Sequence, residues 1–142
     1  MNKAVEIDMS RFVEMLRRWE KKGHELRRIT PTVAAILVTA VEDEFNTEGA
    51  STGGWPPLAA STLARRRGTS AKILQDTGVL AGSIRPDYGS DWGAAATDVP
   101  YAIYHVSDAP RTKIPKRDFM AVDTPDVMRE LEDVFAEWLV ER

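Results

Sequence analysis

The sequence predicts an α+β fold: three main helices, two N-terminal and one C-terminal, packed on a small antiparallel sheet. Three observations predict it. Apolar residues recur at helical spacing from Met9 to Trp19, from Val33 to Phe45 and from Val127 to Leu139. Between the last two stretches, Ile84, Tyr88 and Trp92 are separated by Pro86, Gly89 and Gly93, as in short strands joined by a turn. The 142 residues are 43% hydrophobic and 29% charged, which suits one domain over residues 1–142 that buries its own core.

Ala4 to Ile7 reads as a short strand. Asp8 or Ser10 is placed to cap the first helix, whose apolar face is Met9, Phe12, Val13, Leu16 and Trp19. Arg17, Arg18, Lys21 and Lys22 load its later turns, as the helix dipole favours, and Gly23 ends it. Thr30-Pro31 opens the second helix, with Thr30 as cap and Pro31 at the first helical position, and the pattern runs to about Asn46. Val33, Ala34, Ile36, Leu37, Val38, Ala40, Val41 and Phe45 cover nearly its whole circumference. Such a helix is buried on several sides, either as the centre of its own domain or partly against another subunit.

The Gly-, Ser- and Thr-rich stretch from about 46 to 57 is expected to be a flexible loop, or one ordered by a partner. Leu58 to Arg67 suits a short helix ending at Gly68. Ser83 to Thr97 suits two strands turning near Gly89 to Asp91. Tyr101 to Val106 suits one helical turn, and Arg111 to Ile114 and Phe119 to Val122 suit extended pieces. Thr124-Pro125-Asp126 is a cap, a first-turn proline and a first-turn acid, and Val127 to Leu139 follows as an apolar stripe.

Cysteine is absent, which excludes disulfides, zinc-thiolate sites and cysteine nucleophiles. The net charge of −3 is small, but it is unevenly spread. A basic centre contains Arg65, Arg66, Arg67, Lys113, Lys116 and Arg117, and the last helix carries Glu130, Asp133 and Glu137. The two are either solvated faces or complementary surfaces of neighbouring copies. The N-terminal residues show no apolar targeting core. Val33 to Val41 is far shorter than the ~20 residues of a membrane span. The expectation is a chain made and used in the cytoplasm, or in a particle assembled there, with no membrane partner.

Catalytic apparatus is sparse. The only histidines are His24 and His105, His24 lies in a charged turn, and no metal, cofactor or phosphate-binding motif occurs. No cofactor and no small-molecule substrate are expected. His105 with Tyr101, Tyr104 and Asp76 is the one candidate acid–base group, and it defines the alternative reading, a small hydrolase-type enzyme. A structural histidine beside packed tyrosines fits the same residues. Trp55, in its Gly- and Pro-rich setting, either folds onto the core or anchors a partner, and Pro56-Pro57-Leu58 favours the first. Arg65-Arg66-Arg67 lacks interleaved aromatics, so it suggests passing contact with DNA rather than sequence recognition. In an extended strand Arg117 and Phe119 would share one face, with Arg117 paired to a carboxylate at the domain edge.

Four groups of residues in order carry a family resemblance. They are Trp55-Pro-x-Leu with Thr62; Ile73-Leu74-x-x-Thr77-Gly78-x-Leu80 with Ser83-Ile84; Tyr101-Ala102 with His105; and Ile114-Pro115-x-Arg117-x-Phe119. Between about Phe45 and Val122 the chain resembles the phage virion morphogenesis family. The family usually has a glycine shortly after the histidine. Here Val106-Ser107-Asp108-Ala109 stands in that place, so an Asp or Ser side chain must build the turn. The resemblance implies a structural virion protein that completes or caps the tail, or joins tail to head in the neck. Its implied partners are other copies of itself in a closed ring, a hexamer for instance, and neighbouring neck and tail proteins. Residues suited to such contacts are Trp55, Arg65, Arg66, Arg67, Arg117, Glu130, Asp133 and Glu137.

Overall fold

A computed structural model describes residues 8–68, 70–110 and 113–141. The strand expected at Ala4 to Ile7 lies outside them, as do Arg111 and Thr112. The α-helices are α1 (Ser10–Gly23), α2 (Thr30–Thr47), α3 (Ala60–Ala64), α4 (Ile103–Val106) and α5 (Pro125–Val140). A hairpin of β1 (Arg85–Tyr88) and β2 (Gly93–Ala96) stands between α3 and α4. The strands pair antiparallel, Arg85 opposite Ala96 and Tyr88 opposite Gly93, and the Gly89 N–H donates to the Trp92 carbonyl at 2.9 Å across the turn. The fold is α+β, with helices at both ends of the chain flanking a small antiparallel sheet.

The helix that is apolar nearly all round, α2, is the central element. It packs on both strands and on α5, and none of its large apolar side chains is exposed. Its apolar surplus is therefore covered within the chain. Gly93 allows the close approach of the hairpin, because a Cβ there would lie 2.7 Å from the Thr30 carbonyl oxygen. Thr30 does not cap α2 as expected. Its hydroxyl donates instead to the Gly89 carbonyl at 2.7 Å, which ties the helix start to the hairpin turn, and Ile29 occupies the cap position. At α5 the same Thr-Pro pattern behaves as predicted, with the Thr124 hydroxyl accepting from the Val127 N–H at 3.4 Å.

Val41, Phe45, Trp55, Ile73, Leu80, Ile84, Ala102, Phe119 and Val122 form the core. The Phe45 ring stacks obliquely on Phe119 at 5.0 Å and meets Trp55 edge-on at 5.8 Å. Trp55 thus folds back into its own chain. The stretch before it is held by local bonds. Gly49 N–H donates to Glu44, Gly54 N–H to Gly49 and Trp55 N–H to Glu48, each to a backbone carbonyl at 2.8–2.9 Å. Glu48 also accepts from the Ile73 N–H at 2.7 Å through its carboxylate.

Other expectations are corrected. The helix after Leu58 is shorter than predicted: α3 ends at Ala64, so Arg65, Arg66 and Arg67 lie beyond it. No strand forms at residues 113–114 or 119–122: 113–114 are a bend, 119–120 a turn and 121–122 irregular chain. The turn after α4 is built as the missing glycine required, with the Ala109 N–H donating to the Ser107 hydroxyl at 3.1 Å.

Two apolar helix faces remain open. On α1, Met9, Val13, Leu16 and Trp19 are each between 41% and 50% exposed. On α5, Met128, Phe135 and Leu139 are likewise exposed, while Trp138 turns inward. The last turns of the two helices meet where Lys22 donates to the carbonyls of Trp138 at 2.5 Å and Leu139 at 2.9 Å, and to that of Glu141. These are the free carbonyls of a helix C-terminus, and a cation there also opposes the negative end of the dipole.

Candidate functional site

The groups of residues that are scattered in sequence converge on one cleft of about 540 Å³. One wall is Pro57, Leu58, Thr62, Arg66 and Arg67. Leu74 and Asp76 through Leu80 form the second. Tyr101 and His105, with Lys113, Ile114, Pro115 and Arg117, close it. Four permanent cations and one carboxylate therefore line a largely apolar hollow.

Arg117 organises the inner end. The side chain is only 6% exposed, yet it meets no carboxylate among the described residues, contrary to the sequence expectation. Its Nε donates to the Pro56 carbonyl at 2.9 Å and an Nη to the Pro57 carbonyl at 3.0 Å. Its own N–H donates to the His105 carbonyl at 3.0 Å. Through its guanidinium fork and its backbone N–H, Arg117 thus joins three segments of the cleft. Burial first, and then the nearby charge of Arg66, lower the Arg117 pKa, from a value so high that the group stays charged. Residues 117–119 are a tight turn and not a strand. Even so, Arg117 and Phe119 are both buried, while Asp118 is partly exposed.

Asp76 is a structural tie. Its Oδ1 accepts from the N–H groups of Arg67 and Gly68, both at 2.9 Å, and so turns the chain after α3. The Gly68 bond foremost, then the Arg67 N–H and the charges of Arg66 and Arg67, hold its carboxyl below the usual carboxylate range against an opposing effect of desolvation. A depressed folded-state pKa gives stability that is present above about pH 4 and lost as pH falls through the folded value. Asp76→Asn should therefore be less stable than the parent at pH 7, and the gap should close as pH falls below about 4. Urea unfolding at both pH values checks this, and a pH-independent gap contradicts it.

Leu74 is the second fixed point. It is one of two non-glycine residues with positive φ among the described residues, at 60°, a conformation that costs of order 1–3 kcal/mol. The following Gln75 amide donates to the Phe45 carbonyl at 2.8 Å and holds that turn on the core. The strained residue stands in the cleft wall.

The structure brings together some predicted residues and separates others. Arg66, Arg67, Arg117, Asp76, Tyr101 and His105 line the cleft, whereas Tyr104 stands outside its lining and is exposed. Arg65 is exposed and bonds the Ser61 carbonyl at 3.1 Å. Arg66 donates to the Ser70 carbonyl at 2.6 Å, while its Nε is buried with no acceptor among the described residues. Trp55 is core, so it is not an exposed anchor. Glu130, Asp133 and Glu137 are exposed on α5, line no part of the cleft and form no ion pair among the described residues. Sequence reasoning missed Lys113 as a cleft cation, and it missed Lys22 as the cap of α5. Both depend on contacts far apart in the chain. No group of three or more His, Asp or Glu side chains gathers among the described residues.

Residues 7–140 match the phage virion morphogenesis family. The chain belongs to that family. The match extends beyond the stretch from Phe45 to Val122 that carried the resemblance, and it takes in α1 and α5. No curated protein and no solved structure matches the chain. The role of this virion morphogenesis protein is in phage virion assembly, which places it with the virion. No helix among the described residues is long and apolar enough to cross a membrane.

Proposed function

We propose that this virion morphogenesis protein is a non-enzymatic part of the tail end or neck. It completes or caps the tail, or joins tail to head, as one of several copies in a closed ring. One observation carries the reading. The candidate acid–base group is not assembled as one, because Tyr104 stands outside the cleft and Asp76 is tied to backbone N–H groups, and the buried Arg117 is likewise tied to backbone carbonyls of the cleft wall. Such a site keeps a fixed shape and a fixed positive charge, which suits docking of an acidic partner surface rather than proton transfer.

Complementary charge supports the same reading. Arg66, Arg67, Lys113 and Arg117 face the cleft, while Glu130, Asp133 and Glu137 stand free on α5. Different faces that attract one another favour head-to-tail contacts, which close into rings. Arg65, outside the cleft, suits passing contact with DNA in a lumen.

Cleft variants test the proposal. Arg66→Glu with Arg67→Glu should leave the fold intact and reduce the copies of the chain in purified particles about tenfold. Reversing Glu130, Asp133 and Glu137 to Lys should have a comparable effect. Normal incorporation of both variants contradicts the proposal. So does a catalytic turnover abolished by His105→Ala with incorporation unchanged.

A further inference from the structure

The exposed face of α1 has an unassigned counterpart on the same chain. Met9, Val13, Leu16 and Trp19 follow helical spacing along about 15 Å of helix. Met128, Phe135 and Leu139 follow it along about 16 Å of α5, so the two stripes match in length. Both are apolar, and each is exposed in its own protomer. A helix this short and this amphipathic gains most of its stability from covering its apolar side, so each face calls for a partner.

Charge names the partner. Five basic and two acidic residues give α1 a net charge of +3, and five acidic and one basic residue give α5 a net charge of −4. Two α1 helices would repel each other, as would two α5 helices, whereas an α1–α5 pair attracts. At 100° per residue, Glu132 borders the α5 stripe on its solvent side, and Arg17 borders the α1 stripe, within which Glu20 is the one charge. Within one chain the two helices meet at their last turns, through Lys22, and both stripes stay open.

We infer that the apolar face of α1 packs along the Met128–Phe135–Leu139 face of α5 in a neighbouring copy. This inference rests on the proposal that copies stand side by side in the virion. The contact is heterologous, so each copy gives one face and receives the other, and repetition closes a ring. The charged edges set the register, and the apolar stripes supply most of the binding free energy.

The chain has no cysteine, so single introduced thiols report contacts cleanly. Particles assembled from co-expressed Val13→Cys and Phe135→Cys chains are treated with a short bifunctional thiol reagent. The expected product is a covalent pair of chains, absent when Arg65→Cys replaces Phe135→Cys. Chains present in the particles but not cross-linked overturn the inference and leave the virion role standing. Cross-linking within single chains of the Val13→Cys/Phe135→Cys double variant overturns it too, because α1 then covers its own α5. Chains missing from particles overturn both readings.

A charge exchange gives a second readout. Glu132→Lys should lower copies per particle about tenfold, and Arg17→Glu should restore them. Restoration by Arg66→Glu with Arg67→Glu instead assigns the Glu132 edge of α5 to the cleft and overturns the α1 contact.

Discussion

Phe119→Ala should lower the stability of the folded chain by about 3–5 kcal/mol. Phe119 has no exposed surface, and its ring lies 5.0 Å from that of Phe45 at the centre of the core. Removing the ring loses its transfer free energy and leaves a cavity that the surrounding helix and turns can only partly fill. Domains of this size are stable by about 5–15 kcal/mol, so the variant should sit near the limit of folding at 37 °C. Phe119→Leu keeps most of the volume and should cost less than half as much. Urea unfolding of the three proteins measures the series. A loss below about 1 kcal/mol for Phe119→Ala would mean that the ring is not packed as described. The consequence reaches the cleft, because the Phe119 N–H donates to the Arg117 carbonyl at 3.0 Å in the same turn.

Arg117→Met should cost about 2–4 kcal/mol. Methionine fills much of the same space but leaves the Pro56 and Pro57 carbonyls without their donors. Each hydrogen bond from a charged donor is worth about 1.5–3 kcal/mol, and water reaching the exposed Pro56 and Pro57, with relief of the desolvation of the guanidinium, offsets part of the sum. Arg117→Lys should recover less than half, because one ammonium cannot reproduce a planar fork that reaches two carbonyls. Calorimetric melting distinguishes the variants. A methionine variant as stable as the parent would show that the fork does not hold the cleft together. Particle incorporation should fall with stability in the methionine variant. In the Arg66→Glu and Arg67→Glu pair, which also removes two charges that favour ionised Asp76, it should fall by more than the stability loss explains, which separates building the cleft from using it.

Much of this was legible in the sequence where local chemistry decides the outcome. Apolar spacing placed α1, α2 and α5, and alternation around Gly89 placed the hairpin. The two Thr-Pro pairs show where local reading stops. Thr124 caps its helix as the pattern says, but the Thr30 hydroxyl is taken by a carbonyl 59 residues away. No local rule anticipates that competitor. The same holds at α3. Arg65 to Arg67 leave the helix because Asp76 satisfies the Arg67 and Gly68 N–H groups from the far side of the turn.

The cleft was half legible. Its residues were visible as groups in a fixed order, but their convergence on one hollow depends on the Arg117 fork and on the core beneath Phe119. Arg117 itself was placed beside a carboxylate, the commonest partner of a buried cation. Two proline carbonyls, which chain stiffness holds in place, serve instead. The apolar surplus of α2 suggested a subunit contact, but the hairpin and α5 cover it. The open faces belong to α1 and α5, whose amphipathic patterns are plain in sequence and whose lack of cover is not.

If the chain is a built-in virion part, it can be counted in the virion. Quantitative mass spectrometry of purified particles gives copies per particle relative to the major tail protein. The account predicts a small, fixed number of copies that stays constant through successive rounds of purification. Particles free of the chain, purified from lysates in which it is abundant, would contradict it.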